Sequence, residues 1–217
     1  MSPQNRHMIA ETPEIYKMVV EPYIKSTPAS RIQWVYNALE GTAEAERVVL
    51  RDEADVETGF VLLPDSKWDC KTLDTLYLQV LVLRRDIRSL RDLTRSHLPL
   101  LRNVRDRVCA VVPAKYGVQA DELRIFIHYQ PSYYHFHIHV TSMRYIAGPN
   151  ISIGQSHLLD TVIDNIEHIA GDYYQRCTLH YVLGERHPLF ERLGVPLSAE
   201  KRESEETAEG KNMLGDK

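Results

Sequence analysis

Three histidines in strict alternation constrain this chain more than any other feature. In IHYQPSYYHFHIHV, which runs from Ile127 to Val140, His135, His137 and His139 alternate with Phe136, Ile138 and Val140. A helix would scatter these six side chains around its axis, whereas a strand puts residues i, i+2 and i+4 on one face. The segment is therefore predicted to be a strand with an imidazole face and an apolar face. His128 closes the preceding β-rich run, LRIFIHY, and the turn Gln130-Pro131-Ser132 would bring it beside the triplet. That turn also offers the Ser132 hydroxyl and backbone N–H groups to a phosphate.

A wall of imidazoles admits three chemistries. The histidines could be structural. They could share a metal ion, although the run contains no Cys, Asp or Glu to complete a familiar ligand set. Or one imidazole could attack phosphorus while its neighbours orient it and bind the phosphate oxygens. Net charge narrows the ligand: at −4, with a pI of 6.2, the chain has no bulk basic surface, so a nucleic-acid ligand should be small and held in a pocket. Cys70, Cys109 and Cys177 are odd in number and form no CxxC pair, so they read as reduced thiols of an intracellular protein. The N-terminus lacks the apolar core of a secretory signal, and the most apolar stretch, Leu76 to Leu83, is far too short to span a bilayer.

Along the chain, residues 1–30 carry Pro3, Pro13, Pro22 and Pro28 without sustained periodicity and read as an extended, linker-like lead-in. The runs Arg47 to Arg51 and Gly59 to Leu63 suggest a hairpin. Leu73, Leu76, Tyr77, Val80 and Leu81 follow helical spacing, which predicts an amphipathic helix to about Arg84. A second helix is expected after a Thr94 or Ser96 cap, carrying Leu98 through Tyr116, with Pro113 ending or kinking it near Val112 and Gly117 as its stop. Strands are expected over Leu123 to Tyr129, Tyr134 to Met143 and Arg176 to Leu183, and a helix from about Ser156 to Ile169. Residues 196–217 are charged, nearly free of large apolar side chains, and read as a disordered tail. The order of elements predicts one α+β domain over 31–195, built on an antiparallel sheet with packed helices.

The run His135-Phe-His-Ile-His139-Val resembles the histidine-triad motif, departing from it at Thr141, where an apolar residue is usual. The likeness extends to IQWVYNALEGTAEAERVV, GFVLLPDSKWD, LRRDIRSLRDLTRSHLPLLRN and HYQPSYYHFHIHV, from about Arg31 to about Leu193. Together these segments resemble the scavenger mRNA-decapping enzymes, the 7-methylguanosine cap pyrophosphatases of the histidine-triad superfamily. The resemblance implies a histidine-triad fold and a homodimer, with Leu73–Leu83 as a candidate part of its surface. It implies hydrolysis of a capped dinucleotide or short capped RNA, releasing 7-methyl-GMP, with no cofactor or metal. His137 falls on the nucleophile, and His128, Ser132, His135 and His139 fall on positions that contact the phosphates or assist the leaving group. Trp34 falls on the residue that stacks on the cationic base, Glu44 on the acid facing its Watson–Crick edge, and Asp65 and Lys67 on further ligand contacts. By spacing alone, Trp34 would pass for a core anchor and Glu44 for a solvated charge. Family members also carry an N-terminal lid domain, most of which the resemblance implies is absent here. That leaves open a non-catalytic cap-binding module and, from the triad alone, a generic nucleoside phosphoramidase. The cysteines and the resemblance together suggest cytoplasm and nucleus.

Overall fold

A computed structural model describes residues 4–146 and 154–194. Pro13 and Pro22, which suggested an extended lead-in, mark helix starts instead. After strand β1 (Arg6–Glu11), Thr12 caps α1 (Pro13–Ile15), with Pro13 in its first turn, where a missing N–H costs nothing. A π-helical stretch, Tyr16–Val20, leads into α2 (Glu21–Ser26), with Pro22 again in the first turn. Ile9, Ile15, Val20 and Ile24 from this region are buried in the main core. Then come α3 (Gln33–Leu39), β2 (Leu50–Asp52), β3 (Phe60–Pro64), β4 (Tyr77–Val82), α4 (Leu98–Tyr116), β5 (Leu123–His128), β6 (His137–Ser142), β7 (Ser156–Leu158), α5 (Leu159–Asp164), α6 (Tyr173–Arg176) and β8 (Leu179–Gly184). The architecture is α+β, as expected. Its antiparallel strands divide between a six-stranded sheet, ordered β2-β3-β4-β6-β5-β7, and a separate β1-β8 pair.

The helix expected over Leu73 to Arg84 is strand β4, preceded by a single 3-10 turn, Leu73–Thr75. All six residues of β4 are buried, because β3 and β6 flank it and both faces are covered. A strand buried on both faces loses its polar alternation, and its apolar run then satisfies helical spacing by accident. The same burial removes it as a surface for pairing two subunits.

Other boundaries move for local reasons. Pro113 does not end α4 at Val112. It falls in the last turn, and the helix stops at Gly117, where φ is +73°, a conformation that favours glycine. Thr94 caps a 3-10 turn, Arg95–His97, that leads into α4. Ser156–Leu158, expected to be helical, pairs with β5 before α5 begins, and a π-helical turn, Asn165–Ile169, completes that segment. The expected hairpin forms from β2 and β3. Arg176 belongs to α6, so the last strand begins at Leu179. The tail 196–217 lies outside the described residues.

Register assigns the two faces of the large sheet. Val61 pairs with Leu81 and Leu81 with His137, so these side chains share a face with Leu63, Gln79, His139 and Phe126. Leu62, Val80, Ile138 and Val140 point the other way, into the core that also holds Leu101, Val104 and Val108 of α4. On the histidine face, Val35, Ala38 and Leu39 of α3 pack on Val61, Leu63 and Leu81. Arg51 of β2 fastens the end of that helix, donating to Leu39 O at 2.6 Å and Ala38 O at 3.0 Å. Ala38 O also accepts from the Gly41 N–H at 3.2 Å, and a cation at this end opposes the negative end of the helix dipole. In this way α3 and its Trp34 are held beside the histidines.

Candidate active site

β6 begins at His137, so His135 lies just ahead of the strand, yet all three histidines are buried. His137 Nδ1 is 2.7 Å from the His135 carbonyl oxygen, which can only accept, so Nδ1 carries the proton and Nε2 keeps its lone pair. Among the described residues, that Nε2 has no hydrogen-bond partner. Burial pushes the imidazole down to about 3, outweighing the bond to His135, which acts in the opposite sense. At neutral pH His137 is thus an uncharged base with its free nitrogen oriented by the backbone.

The other triad members are held differently. His135 Nε2 lies 2.9 Å from Val82 O, with the Tyr36 ring edge-on at 5.9 Å. His139 Nδ1 is 3.0 Å from the Tyr77 hydroxyl, and its ring stacks on Phe126 at 5.3 Å. Desolvation first, then the neighbouring His137, holds His139 well below the usual histidine range. His128, at the end of β5, is 4.2 Å from His139 between ring centroids. Lys67 places its ammonium over the Tyr77 ring, 5.1 Å from its centre, while the Tyr77 hydroxyl meets His139. Among the described residues, no three His, Cys, Asp or Glu side chains gather as a metal site.

Trp34, Glu44, Asp65, Lys67, Ser132 and His139 line one cavity of about 480 Å³, a volume typical of small-ligand sites. Trp34 is 44% exposed on α3, too open for a core anchor. Glu44 sits in a left-handed turn at φ +59° and pairs with Arg47, which lines the same cavity. Asp65 is buried, and its Oδ1 accepts from the Lys67 backbone N–H at 2.9 Å. His128 opens instead onto a neighbouring cavity of about 320 Å³, which shares Ser132 with the first. His137 and His135 reach neither. The ring of Tyr133 lies flat on His137, with centroids 4.1 Å apart and planes 15° apart.

Spacing alone missed four residues here: Tyr133, Gln79, Tyr77 and Arg47. Tyr133 stood in view within the SYYH run. Gln79 was signalled as the only polar residue in the run YLQVLV, and its register opposite His139 points it into the site.

The loop between β5 and β6 is anchored by a buried ion pair. Glu11 of β1 and Arg91 meet at 2.9 Å, both inaccessible to solvent. Glu11 also accepts from the Tyr129 hydroxyl at 2.6 Å and from Gln130 at 2.9 Å. Two residues later comes Ser132, so the N-terminal strand positions the turn that lines both cavities.

An α+β domain whose antiparallel sheet carries alternating histidines beside a small-ligand cavity, with His139 in its lining, is the arrangement of a histidine-triad-like domain. Residues 33–150 match the family described as scavenger mRNA decapping enzyme C-term binding, and the chain belongs to that family. It is 46% identical over 186 residues to the m7GpppX diphosphatase of Bos taurus, which covers 86% of this chain and 54% of that protein. Against the m7GpppX diphosphatase of Homo sapiens it is 44% identical over 190 residues, 88% of this chain and 55% of the relative. The Schizosaccharomyces pombe m7GpppX diphosphatase gives 41% over 192 residues, 88% and 62% respectively. The chain thus spans little more than half the length of these curated relatives.

Proposed function

We propose that this domain hydrolyses the 5′–5′ triphosphate bridge of a 7-methylguanosine cap dinucleotide or short capped RNA, releasing 7-methyl-GMP. The observation that carries the reading is the backbone-oriented, uncharged imidazole of His137 beside a cavity lined by Trp34 and Glu44. The relatives' printed name, m7GpppX diphosphatase, supports the choice of substrate.

In this scheme Trp34 stacks on the cationic 7-methylguanine, Glu44 accepts from its Watson–Crick edge, and Asp65 and Lys67 make further contacts. The Nε2 lone pair of His137 attacks the phosphorus attached to 7-methylguanosine. The bond from that phosphorus to the bridging oxygen breaks, and its electron pair departs with the nucleoside diphosphate or RNA fragment. The positive charge gained by the ring is shared through Nδ1–H with the His135 carbonyl. His128, His139, Ser132 and Lys67 offset charge on the phosphate oxygens and leaving group. Water then attacks the phosphorus and gives up a proton; the phosphorus–nitrogen bond breaks, its electron pair returns to Nε2 of His137, and 7-methyl-GMP is released.

The test is hydrolysis of methylated and unmethylated cap dinucleotides by this chain, with and without a chelator. Metal-independent turnover that prefers the methylated cap is expected; equal rates on the two caps would sink the substrate assignment. A second reading, a module that binds caps without turning them over, draws on the Tyr133 ring lying over His137. Tight binding of 7-methyl-GDP with no dinucleotide hydrolysis over hours would favour it. The resemblance also supports a homodimer acting in cytoplasm and nucleus. Light scattering on the purified chain and imaging of a tagged copy in cells test these two points.

A further inference from the structure

The unpartnered Nε2 of His137 is out of contact with solvent, and the side chain is only 3% exposed. An attacking nitrogen must come within about 3–3.5 Å of phosphorus. In this structure Tyr133 roofs the imidazole, and His139 stands edge-on to it at 5.0 Å. Three further features bear on that roof. The Tyr133 hydroxyl accepts from the Gln79 side-chain amide. The Tyr133 ring meets Trp34 edge-to-face, with centroids 5.1 Å apart. And Tyr133 lines a third, adjoining cavity of about 630 Å³, together with Trp34 and Ser132, into which a ring could turn.

The flanking residues are tied down more firmly. Tyr134 donates to Gln130 at 3.1 Å, and Gln130 donates to buried Glu11 at 2.9 Å. The Tyr133 ring is retained by a stack, an edge contact and one hydrogen bond from Gln79. A base stacked on Trp34 can replace these contacts with its own. The side chain can therefore move while its loop stays in place.

We propose that Tyr133 is a positioning residue that covers His137 until a base stacking on Trp34 takes over its aromatic contact and releases it into the adjoining cavity. Exposure of the nucleophile is thereby coupled to recognition of the base. The inference rests on the reading of His137 and Trp34 given above. It adds that selectivity is exercised twice by one contact: once by holding the base, and once by uncovering the nitrogen that attacks.

Two measurements on the full chain test it. In the first, diethyl pyrocarbonate acylates histidines, and the rate at His137 is followed by peptide mass spectrometry. Reactivity scales with the fraction of molecules in the uncovered state. Tyr133→Ala should raise the rate at His137 about tenfold or more on that scaling, with Tyr133→Phe, which keeps the stack and loses the Gln79 hydrogen bond, falling between. Equal rates in wild type and Tyr133→Ala would overturn the proposal. In the second, p-nitrophenyl esters of 7-methyl-GMP and of thymidine 5′-monophosphate are compared by kcat/KM. Tyr133→Ala should compress their ratio about tenfold, through a faster thymidine reaction once uncovering no longer waits for the base. An unchanged ratio, or an equal fall on both esters, contradicts the coupling. If wild type hydrolyses neither ester, the proposed function itself fails, and the acylation rates still decide whether Tyr133 covers His137.

Discussion

His137 and His139 stand on β6 inside a six-stranded sheet, whereas Trp34 stands on a seven-residue helix at the sheet's surface. The two regions meet in one site but are held in different ways. Backbone carbonyls hold His137 and His135, the Tyr77 hydroxyl meets His139, and all three imidazoles are buried. Trp34 is nearly half exposed, and Glu44 and Lys67 are exposed on connecting segments. Chemistry that needs one imidazole in one tautomer is seated where the fold is least able to move. Recognition, which has to admit and release a ligand, is seated at the rim. Tyr133 touches both, lying on His137 and against Trp34.

That contrast can be broken most sharply at the rigid wall. Replacing His137 with Asn should lower kcat by about a thousandfold or more, as loss of a covalent nucleophile does, while 7-methyl-GDP binding measured by calorimetry stays within about threefold. Comparable losses in kcat and in affinity would merge the two regions into one. Next in size is the buried anchor. Glu11→Ala leaves the Arg91 guanidinium buried without its carboxylate and should cost about 3–5 kcal/mol in urea unfolding. At the rim, Trp34→Ala should raise KM for the methylated dinucleotide about tenfold, reduce its advantage over the unmethylated one and, because base stacking on Trp34 uncovers His137, lower kcat as well. An effect confined to kcat would count against a recognition role.

A further expected effect concerns pH. Burial depresses His135, His137 and His139, His137 to about 3, so the unfolded chain takes up protons near pH 6.5 that the folded chain refuses. Stability should therefore be fully present above about pH 6.5 and decline as pH falls from there toward 3, by up to roughly 1.4 kcal/mol per pH unit for each such histidine. Thermal melts between pH 7 and pH 5 would show it, and His137→Asn should make the slope shallower. A slope that did not change would mean His137 titrates normally and is less sealed than its surroundings indicate.

The same contrast explains what the sequence revealed. The histidine wall was legible because alternation is a geometric statement: in β6 residues i and i+2 must share a face, whatever surrounds them. Trp34 and Glu44 were not legible by pattern. A tryptophan at the start of a short helix and a glutamate in a left-handed turn acquire their roles from a cavity assembled by α3, β3 and the β5–β6 loop, and only the family resemblance singled them out. β4 was misread because burial on both faces erased its period. Residues 4–30 were misread because Pro13 and Pro22 start helices as readily as they break them, and nothing local reveals that Glu11 pairs with Arg91, eighty positions away. Tyr133 lay in plain view beside the triad, but its importance is a stacking distance, which no spacing rule encodes.

The central claim is that His137 forms a bond to the phosphorus of the 7-methylguanosine half of its substrate. The direct measurement is rapid mixing of this chain with the methylated cap dinucleotide, a quench in alkali to preserve the phosphorus–nitrogen bond, and mass spectrometry of the peptide bearing the triad. A 7-methyl-GMP adduct on His137, absent in His137→Asn, is the predicted result. Full turnover with no adduct, or an adduct on a different histidine, would contradict it.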